Sequence, residues 1–244
     1  MVIAVHGGEP TAWPVIGCVM KLSDRLSCVA QHVLPGLPMA DIGTDHGQLP
    51  VWLVRTGMVP SAIAMDLRPS PLSVARRQVA MAGVGDRVEC RLSDGLEKLT
   101  EREVATVTIC GMGGGLMARI LGAHPEVRES VARLVLQPNN DVEKLRRVLQ
   151  ALSWGICAEE LLIEGRYVYP TIVAEKVVVS RCYDESELAF GPLLRVARSE
   201  AFVEMLEREA RQVRRVLGQC QGSPEATRRF EARLALVEQE LGRG

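Results

Sequence analysis

The sequence predicts an α/β fold: a mostly parallel sheet, closed by one antiparallel strand pair, followed by a helical hairpin. Three observations support this prediction. Short β-rich runs alternate with helical runs from residue 38 to about 180, two late β-rich runs lie only four residues apart, and the β signal disappears after residue 181. Strand–helix alternation at this spacing builds right-handed βαβ units around a parallel sheet.

The seven β-rich runs define the predicted sheet in more detail. Four residues are too few for a crossover helix, so the last two runs, 156–163 and 168–179, should pair antiparallel. Five parallel strands closed by such a pair are typical of the Rossmann-like sheet of class I methyltransferases, whereas a dehydrogenase sheet ends on a sixth parallel strand. The parallel strands are predicted at 39–43, 62–66, 87–92, 104–110 and 133–137, and the helices at 48–57, 70–82, 114–121 and 141–152.

Three segments follow from these patterns. Residues 1–20 show no clean periodicity and are predicted to be an N-terminal extension without a regular fold, with Met20 as an alternative start. Residues 21–180 form the sheet domain. Residues 181–244 repeat apolar positions at threes and fours, which predicts a helical coiled-coil domain broken at Gly222-Ser223-Pro224.

Composition narrows the class of protein. The chain has 244 residues, 47% hydrophobic and 24% charged, with a net charge of −1, so it is an ordinary globular chain. Its seven cysteines include no CxxC pair, which argues against a disulfide framework and a zinc site and indicates a reducing, cytoplasmic location. No apolar stretch is long enough to span a membrane, so no membrane association is expected.

The turn after the first strand carries the most informative motif. It reads Asp41-Ile42-Gly43-Thr44-Asp45-His46-Gly47, in which Gly43 permits a sharp turn and Gly47 allows a ligand or helix to approach. A dinucleotide fingerprint has glycine where this chain has Asp45. A carboxylate there would repel a pyrophosphate but attract a sulfonium, which favours S-adenosylmethionine (SAM) over NAD. A turn or capping role for Asp45 is the alternative.

Two acidic positions follow the next strands. Asp66 ends the second strand, where a carboxylate can accept both ribose hydroxyls of a nucleoside cofactor. Asp94-Gly95 follows the third strand, where an acid can face the adenine amine of the cofactor. An ordinary Asp-Gly turn explains the second motif equally well. Asp41 is a further candidate, for the amino-acid portion of the cofactor.

The turns after the fourth and fifth strands complete the candidate site. Gly111-Met112-Gly113-Gly114-Gly115 follows a β-branched run, so its backbone must come close to another group. In Leu136-Gln137-Pro138-Asn139, Gln137 and Asn139 can pair with a base edge. Arginines 208, 211, 214 and 215 share a helix face, which is either a solvated face of ion pairs or a track for nucleic acid.

These motifs together resemble one family, the bacterial tRNA (adenine-N1)-methyltransferases that act on adenine 22, named TrmK. The resemblance runs from about Leu22 to the C-terminus. One departure is clear, because the family's Tyr-Glu-Ile is replaced here by Tyr169-Pro170-Thr171. The resemblance is carried by Asp41-Ile42-Gly43-Thr44-Asp45-His46-Gly47-Gln48-Leu49-Pro50, Gly111-Met112-Gly113-Gly114, Leu136-Gln137-Pro138-Asn139 and Ile172-Val173-Ala174-Glu175.

The resemblance implies SAM as the cofactor, tRNA as the partner and methyl transfer to adenine N1. Asp45 would then be the electrostatic partner of the reaction, His46 an orienting or proton-accepting group, and Asn139 a contact to the adenine edge. Phosphates would be bound by Arg25, Arg211 and Arg215. A small-molecule SAM methyltransferase and a non-catalytic tRNA-binding module remain alternatives, and the chain could be a monomer or a homodimer.

Overall fold

The computed structural model describes residues 21–177, 181–219 and 224–243. The predicted extension, residues 1–20, therefore lies outside the described residues. The predicted domain boundary at 180 also lies outside them, as do Gly222 and Ser223 of the predicted break. Among the described residues, no helix combines the length and the hydrophobicity needed to cross a bilayer.

A single seven-stranded sheet forms the centre of the fold, in the order β3-β2-β1-β4-β5-β7-β6. Strands β1 to β5 are parallel, and β7 runs antiparallel to both β5 and β6. The predicted class I methyltransferase sheet is thereby confirmed: two strands have the predicted ends, and the ends of the other five differ by at most three residues. The strands are β1 Met39–Ile42, β2 Ala62–Asp66, β3 Val88–Leu92, β4 Thr106–Cys110, β5 Arg133–Gln137, β6 Trp154–Glu164 and β7 Tyr167–Lys176.

Helices cover both faces of this sheet. The four helices expected between strands are present, and the six-residue α5, which begins at a proline as many helices do, was not predicted. In the sheet domain the helices are α1 Asp24–Ala30, α2 Gln48–Arg55, α3 Pro69–Met81, α4 Gly114–Ala123, α5 Pro125–Ser130 and α6 Val142–Ala151. Toward the C-terminus they are α7 Glu185–Phe190, α8 Pro192–Ala197, α9 Glu200–Gln219 and α10 Pro224–Leu241.

The core is divided by the sheet into two layers. Successive residues of a strand point to opposite faces; in β1, Met39 packs in one layer and Ala40 and Ile42 pack in the other. Asp41 therefore points into the first layer, where it is buried. This alternation places the Asp41 carboxylate inside the core near the carboxyl end of β1.

The C-terminal helices form a third cluster against the edge of the sheet. Phe202 and Leu206 of α9 and Val237 of α10 are buried together, and Leu161 of β6 packs on them. The two long helices are also joined by an ion pair of 2.5 Å between Arg233 and Glu209. The predicted helical pair is thus present, and it is docked on the β6–β7 hairpin.

One buried ion pair fixes this docking. Arg146 of α6 lies 2.9 Å from Glu159 of β6, and the two side chains are 2% and 0% exposed. The Arg146 guanidinium also donates to the Leu188 carbonyl of α7, and the Glu159 carboxylate accepts from the Leu193 amide of α8. Burial lowers the pKa of the Arg146 guanidinium, so the charged pair depends on its own partners for solvation.

Removal of one partner from this pair should destabilise the protein strongly. Glu159→Ala leaves a buried guanidinium uncompensated, so the free energy of unfolding should fall by about 3–5 kcal/mol, measured by urea denaturation. Glu185→Ala is the control, because it breaks an exposed pair with Arg147 and should cost less than about 1 kcal/mol. Equal losses in both variants would contradict this role of Glu159.

Candidate active site

A cleft of about 560 Å³ opens at the carboxyl ends of the parallel strands. Ligands of open α/β sheets bind at this edge, and the volume suits a small-molecule site. The cleft brings together many of the predicted site residues. Its walls include the predicted residues Arg25, Asp41, Gly43, Asp45, His46, Asp66, Gly111, Met112 and Asn139.

The turn between β1 and α2 forms the floor of the cleft. Gly43 has a φ of +71°, and a Cβ there would lie 2.0 Å from the Met112 Cε. The amides of Gly43 and Thr44 both donate to the Met65 carbonyl at 2.8 Å, which ties the turn to the end of β2. Gly47 lies against Ala75 of α3 rather than in the cleft wall. Its role is therefore close helix packing, the second of the two roles predicted for it.

Three carboxylates line the cleft with different degrees of burial. Asp41 is buried and accepts a 2.6 Å hydrogen bond from the Thr108 hydroxyl; burial is the main cause that raises the pKa of its carboxyl. Asp66 is also buried and accepts from the Arg68 amide at 2.8 Å. Asp45 is 72% exposed, with its carboxylate 3.7 Å from the His46 ring. Arg25 and Arg68 also line the cleft, so its three carboxylates exceed its arginines by one and the exposed Asp45 has no arginine partner among the described ion pairs.

The turns after β4 and β5 are held together by backbone contacts. The Gly114 amide donates to the Asn140 carbonyl at 2.9 Å, and a Cβ on Gly114 would lie 2.4 Å from the Asp141 carbonyl oxygen. Asn139 donates from its side chain to the Gly111 carbonyl at 2.6 Å. The group that the glycine backbone approaches is therefore the turn after β5, at Asn140 and Asp141. Gly113 belongs to the same contact and does not line the cleft.

The structure corrects the prediction for Gln137. Its side chain is fully buried, and its amide nitrogen donates to the Arg25 carbonyl and to the Thr171 hydroxyl. Its amide oxygen accepts from the Arg25 guanidinium at 3.2 Å. Because these contacts occupy the amide, Gln137 does not face a base edge. It instead fixes Arg25 at the cleft, where the guanidinium lies 5.6 Å from the centre of the Tyr169 ring.

Four other predicted residues lie away from the cleft. Asp94 and Gly95 line a separate cavity of about 420 Å³ beside α4. On α9, Arg211 pairs with Glu207 at 3.4 Å and Arg215 bonds to Gln212. Arg211 and Arg215 are therefore engaged within α9, whereas Arg214 pairs with Glu238 of α10 at 2.7 Å and Arg208 donates to the Gly165 carbonyl. The sequence analysis assigned no role to Thr108 of β4, a strand that ends at the cleft, or to Tyr169, which lies near the start of the antiparallel β7.

Comparison with known proteins identifies the family. A family model described as tRNA (adenine(22)-N(1))-methyltransferase matches residues 39–241. The chain belongs to the TrmK family. The family match spans both the sheet domain and the C-terminal helices, as the sequence resemblance predicted.

Individual relatives agree with this assignment. The chain is 37% identical over 175 residues to the tRNA (adenine(22)-N(1))-methyltransferase of Bacillus subtilis, which covers 72% of this chain and 74% of that protein. The structure of Streptococcus pneumoniae Sp1610, described as a putative tRNA (m1A22) methyltransferase, in complex with S-adenosyl-L-methionine has a TM-score of 0.83 at 33% identity, covering 91% of this chain and 100% of that chain. The M. capricolum TrmK structure with S-adenosyl-homocysteine has a TM-score of 0.80 at 27% identity, covering 91% and 98%.

Two glycine variants test the contact between the turns that follow β4 and β5. Gly114→Ala forces a methyl against the Asp141 backbone, so stability should fall by about 1–3 kcal/mol and methyl transfer should fall with it. Gly115→Ala is the control, because its Cβ would meet only side-chain atoms at 3.6 Å or more. Urea denaturation and an activity assay of both variants test this, and a fully active, stable Gly114→Ala would contradict it.

Proposed function

We propose that this chain transfers a methyl group from SAM to N1 of an adenine in tRNA, adenine 22, as a cytoplasmic enzyme. The observation that carries the proposal is the cleft lined by Asp41, Asp45 and Asp66 at the carboxyl edge of the sheet. Membership of the TrmK family and the SAM and S-adenosyl-homocysteine complexes of its relatives support it.

The residues of the cleft fit SAM. Asp66 ends β2, where it would accept the ribose hydroxyls, and Asp41 would hold the cationic amino-acid portion. Gly43, Gly111 and Met112 would supply the walls around it. Asp45 replaces the glycine that a pyrophosphate would need, which supports a sulfonium ligand over a dinucleotide. When bound, SAM supplies an electrophilic methyl group on sulfur.

Methyl transfer to adenine N1 requires the adenine to be positioned more than it requires a strong base. Adenine N1 attacks through an in-plane lone pair, and the methylated ring carries positive charge, so nearby carboxylates stabilise it. Asp45 would provide this charge, and His46 beside it would orient the carboxylate or accept a proton. Because the Asn139 amide nitrogen already donates to the Gly111 carbonyl, its oxygen is the group left to accept from the adenine N6 amine.

The direct test is methylation of tRNA. Unmodified tRNA incubated with the enzyme and labelled SAM should yield 1-methyladenosine on nucleoside mass analysis. A tRNA with guanine in place of adenine 22 is the control and should remain unlabelled. Formation of a different methylated nucleoside, or undiminished labelling of the control tRNA, would overturn the proposal.

Asp45 should be required for turnover but not for folding. Asp45→Asn removes the charge at an exposed position, so the unfolding midpoint should stay unchanged while kcat falls on the order of 100-fold. Asp86→Asn is the matched control, since Asp86 is equally exposed but precedes β3 at the opposite edge of the sheet. Similar kcat values in the two variants would remove Asp45 from the mechanism.

A further inference from the structure

A row of four side chains leads from the tip of the β6–β7 hairpin to the cleft. Tyr167 and Tyr169 share one face of β7, with ring centres 6.3 Å apart and planes inclined by 35°. The Arg166 guanidinium lies 4.9 Å from the Tyr167 ring centre, and the Arg25 guanidinium lies 5.6 Å from that of Tyr169. We call Arg166, Tyr167, Tyr169 and Arg25 the arginine–tyrosine row.

The row combines exposed aromatic surface with positive charge. Tyr167 is 52% exposed, although the chain has only three tyrosines and 4% aromatic residues overall. Within the part of the chain that the structure describes, no ion pair joins Arg25 or Arg166 to a carboxylate. Arg25 is bound by the neutral Gln137, and Arg166 donates to the Tyr167 hydroxyl at 2.7 Å. The Arg166 charge therefore remains available to an anionic partner, and the Arg25 charge, which also acts on the Asp41 carboxylate, lies where the row meets the cleft.

The row is held in place before any ligand binds. The Arg208 guanidinium of α9 donates to the Gly165 carbonyl at the hairpin tip, at 2.8 Å, and Glu204 holds that guanidinium from the same helix. At the other end, Gln137 fixes Arg25. A surface that is already ordered loses less entropy on binding.

Alternating aromatic rings and guanidinium groups match one kind of partner. Unstacked RNA bases stack on tyrosine rings and on guanidinium planes, and arginine also neutralises the phosphate backbone. The row is continuous with the cleft, because Arg25 and Tyr169 line both. A single-stranded or looped stretch of RNA laid along the row would therefore present its next base to the cleft.

We propose that the arginine–tyrosine row binds the tRNA nucleotides that flank the target adenine. This inference rests on the proposed function and names the surface through which that substrate is recognised. Tyr169 and Arg25 contact the nucleotide nearest the cleft, and Tyr167 and Arg166 contact the nucleotide beyond it. The outer half of the row, Arg166 and Tyr167, does not line the cleft and supplies affinity for polynucleotide alone.

The test compares Tyr167→Ala with Tyr167→Phe. Loss of the ring should weaken tRNA binding at least about fivefold, the lower range for one stacked base, and raise the KM for tRNA more than it changes kcat. Tyr167→Phe keeps the ring and should retain wild-type tRNA affinity. Arg102→Ala is the surface control, since Arg102 is exposed before β4 at the opposite edge of the sheet. SAM affinity by titration calorimetry should be equal in all variants.

The outcomes separate this inference from the proposed function. If wild-type enzyme forms 1-methyladenosine but Tyr167→Ala binds tRNA as tightly as wild type, the proposed role of the row in tRNA binding is wrong and the proposed function stands. If wild-type enzyme leaves tRNA unmethylated, the proposed function fails. A tRNA carrying 4-thiouridine beside adenine 22 should crosslink to the peptide that contains Tyr167, and crosslinking only to α9 or α10 would also overturn the row.

Discussion

The architecture of the cleft depends on a backbone contact between the turns that follow β4 and β5. Gly114 lies so close to the Asp141 carbonyl that only a glycine fits between them. This contact sets the distance between the two turns, and with it the positions of Met112 and Asn139. Met112 in turn reaches Gly43, where a second glycine makes room for it. Gly43 and Gly114 thus allow the turns after β1, β4 and β5 to contact one another at one edge of the sheet.

That edge holds one carboxylate, Asp41, whose burial disfavours its charged form. Burial raises the pKa of the Asp41 carboxyl above its unfolded value, so its ionised form at neutral pH is less favourable in the folded than in the unfolded chain. Asp66 and Asp45 add two more carboxylates nearby. A bound cation offsets this unfavourable charge. The carboxylates of the site therefore suit a ligand that carries a sulfonium and an ammonium group.

The sequence was sufficient to predict the sheet and its antiparallel closure, because strand–helix periodicity and a four-residue connection leave few topologies. It also placed Asp41, Asp45, Asp66 and Asn139 at one edge, since the carboxyl ends of parallel strands meet there. It failed for Gln137, because both faces of β5 are buried and the contacts that cover this side chain come from Arg25 and Thr171, which are distant in sequence. It also failed to show what the glycine run approaches, since that contact comes from a distant turn.

The β6–β7 hairpin connects the small cleft to the rest of the molecule. Glu159 of β6 joins it to α6 and to the C-terminal helices through the buried Arg146, and Arg208 of α9 holds its tip. Its other strand carries Tyr169 into the cleft wall. Strands of 11 and 10 residues extend well beyond the four or five residues of the parallel strands. The additional length carries the contacts that dock the C-terminal helices, through Leu161 of β6 and the Gly165 carbonyl at the hairpin tip. The hairpin therefore ties those helices to the same sheet that forms the cleft.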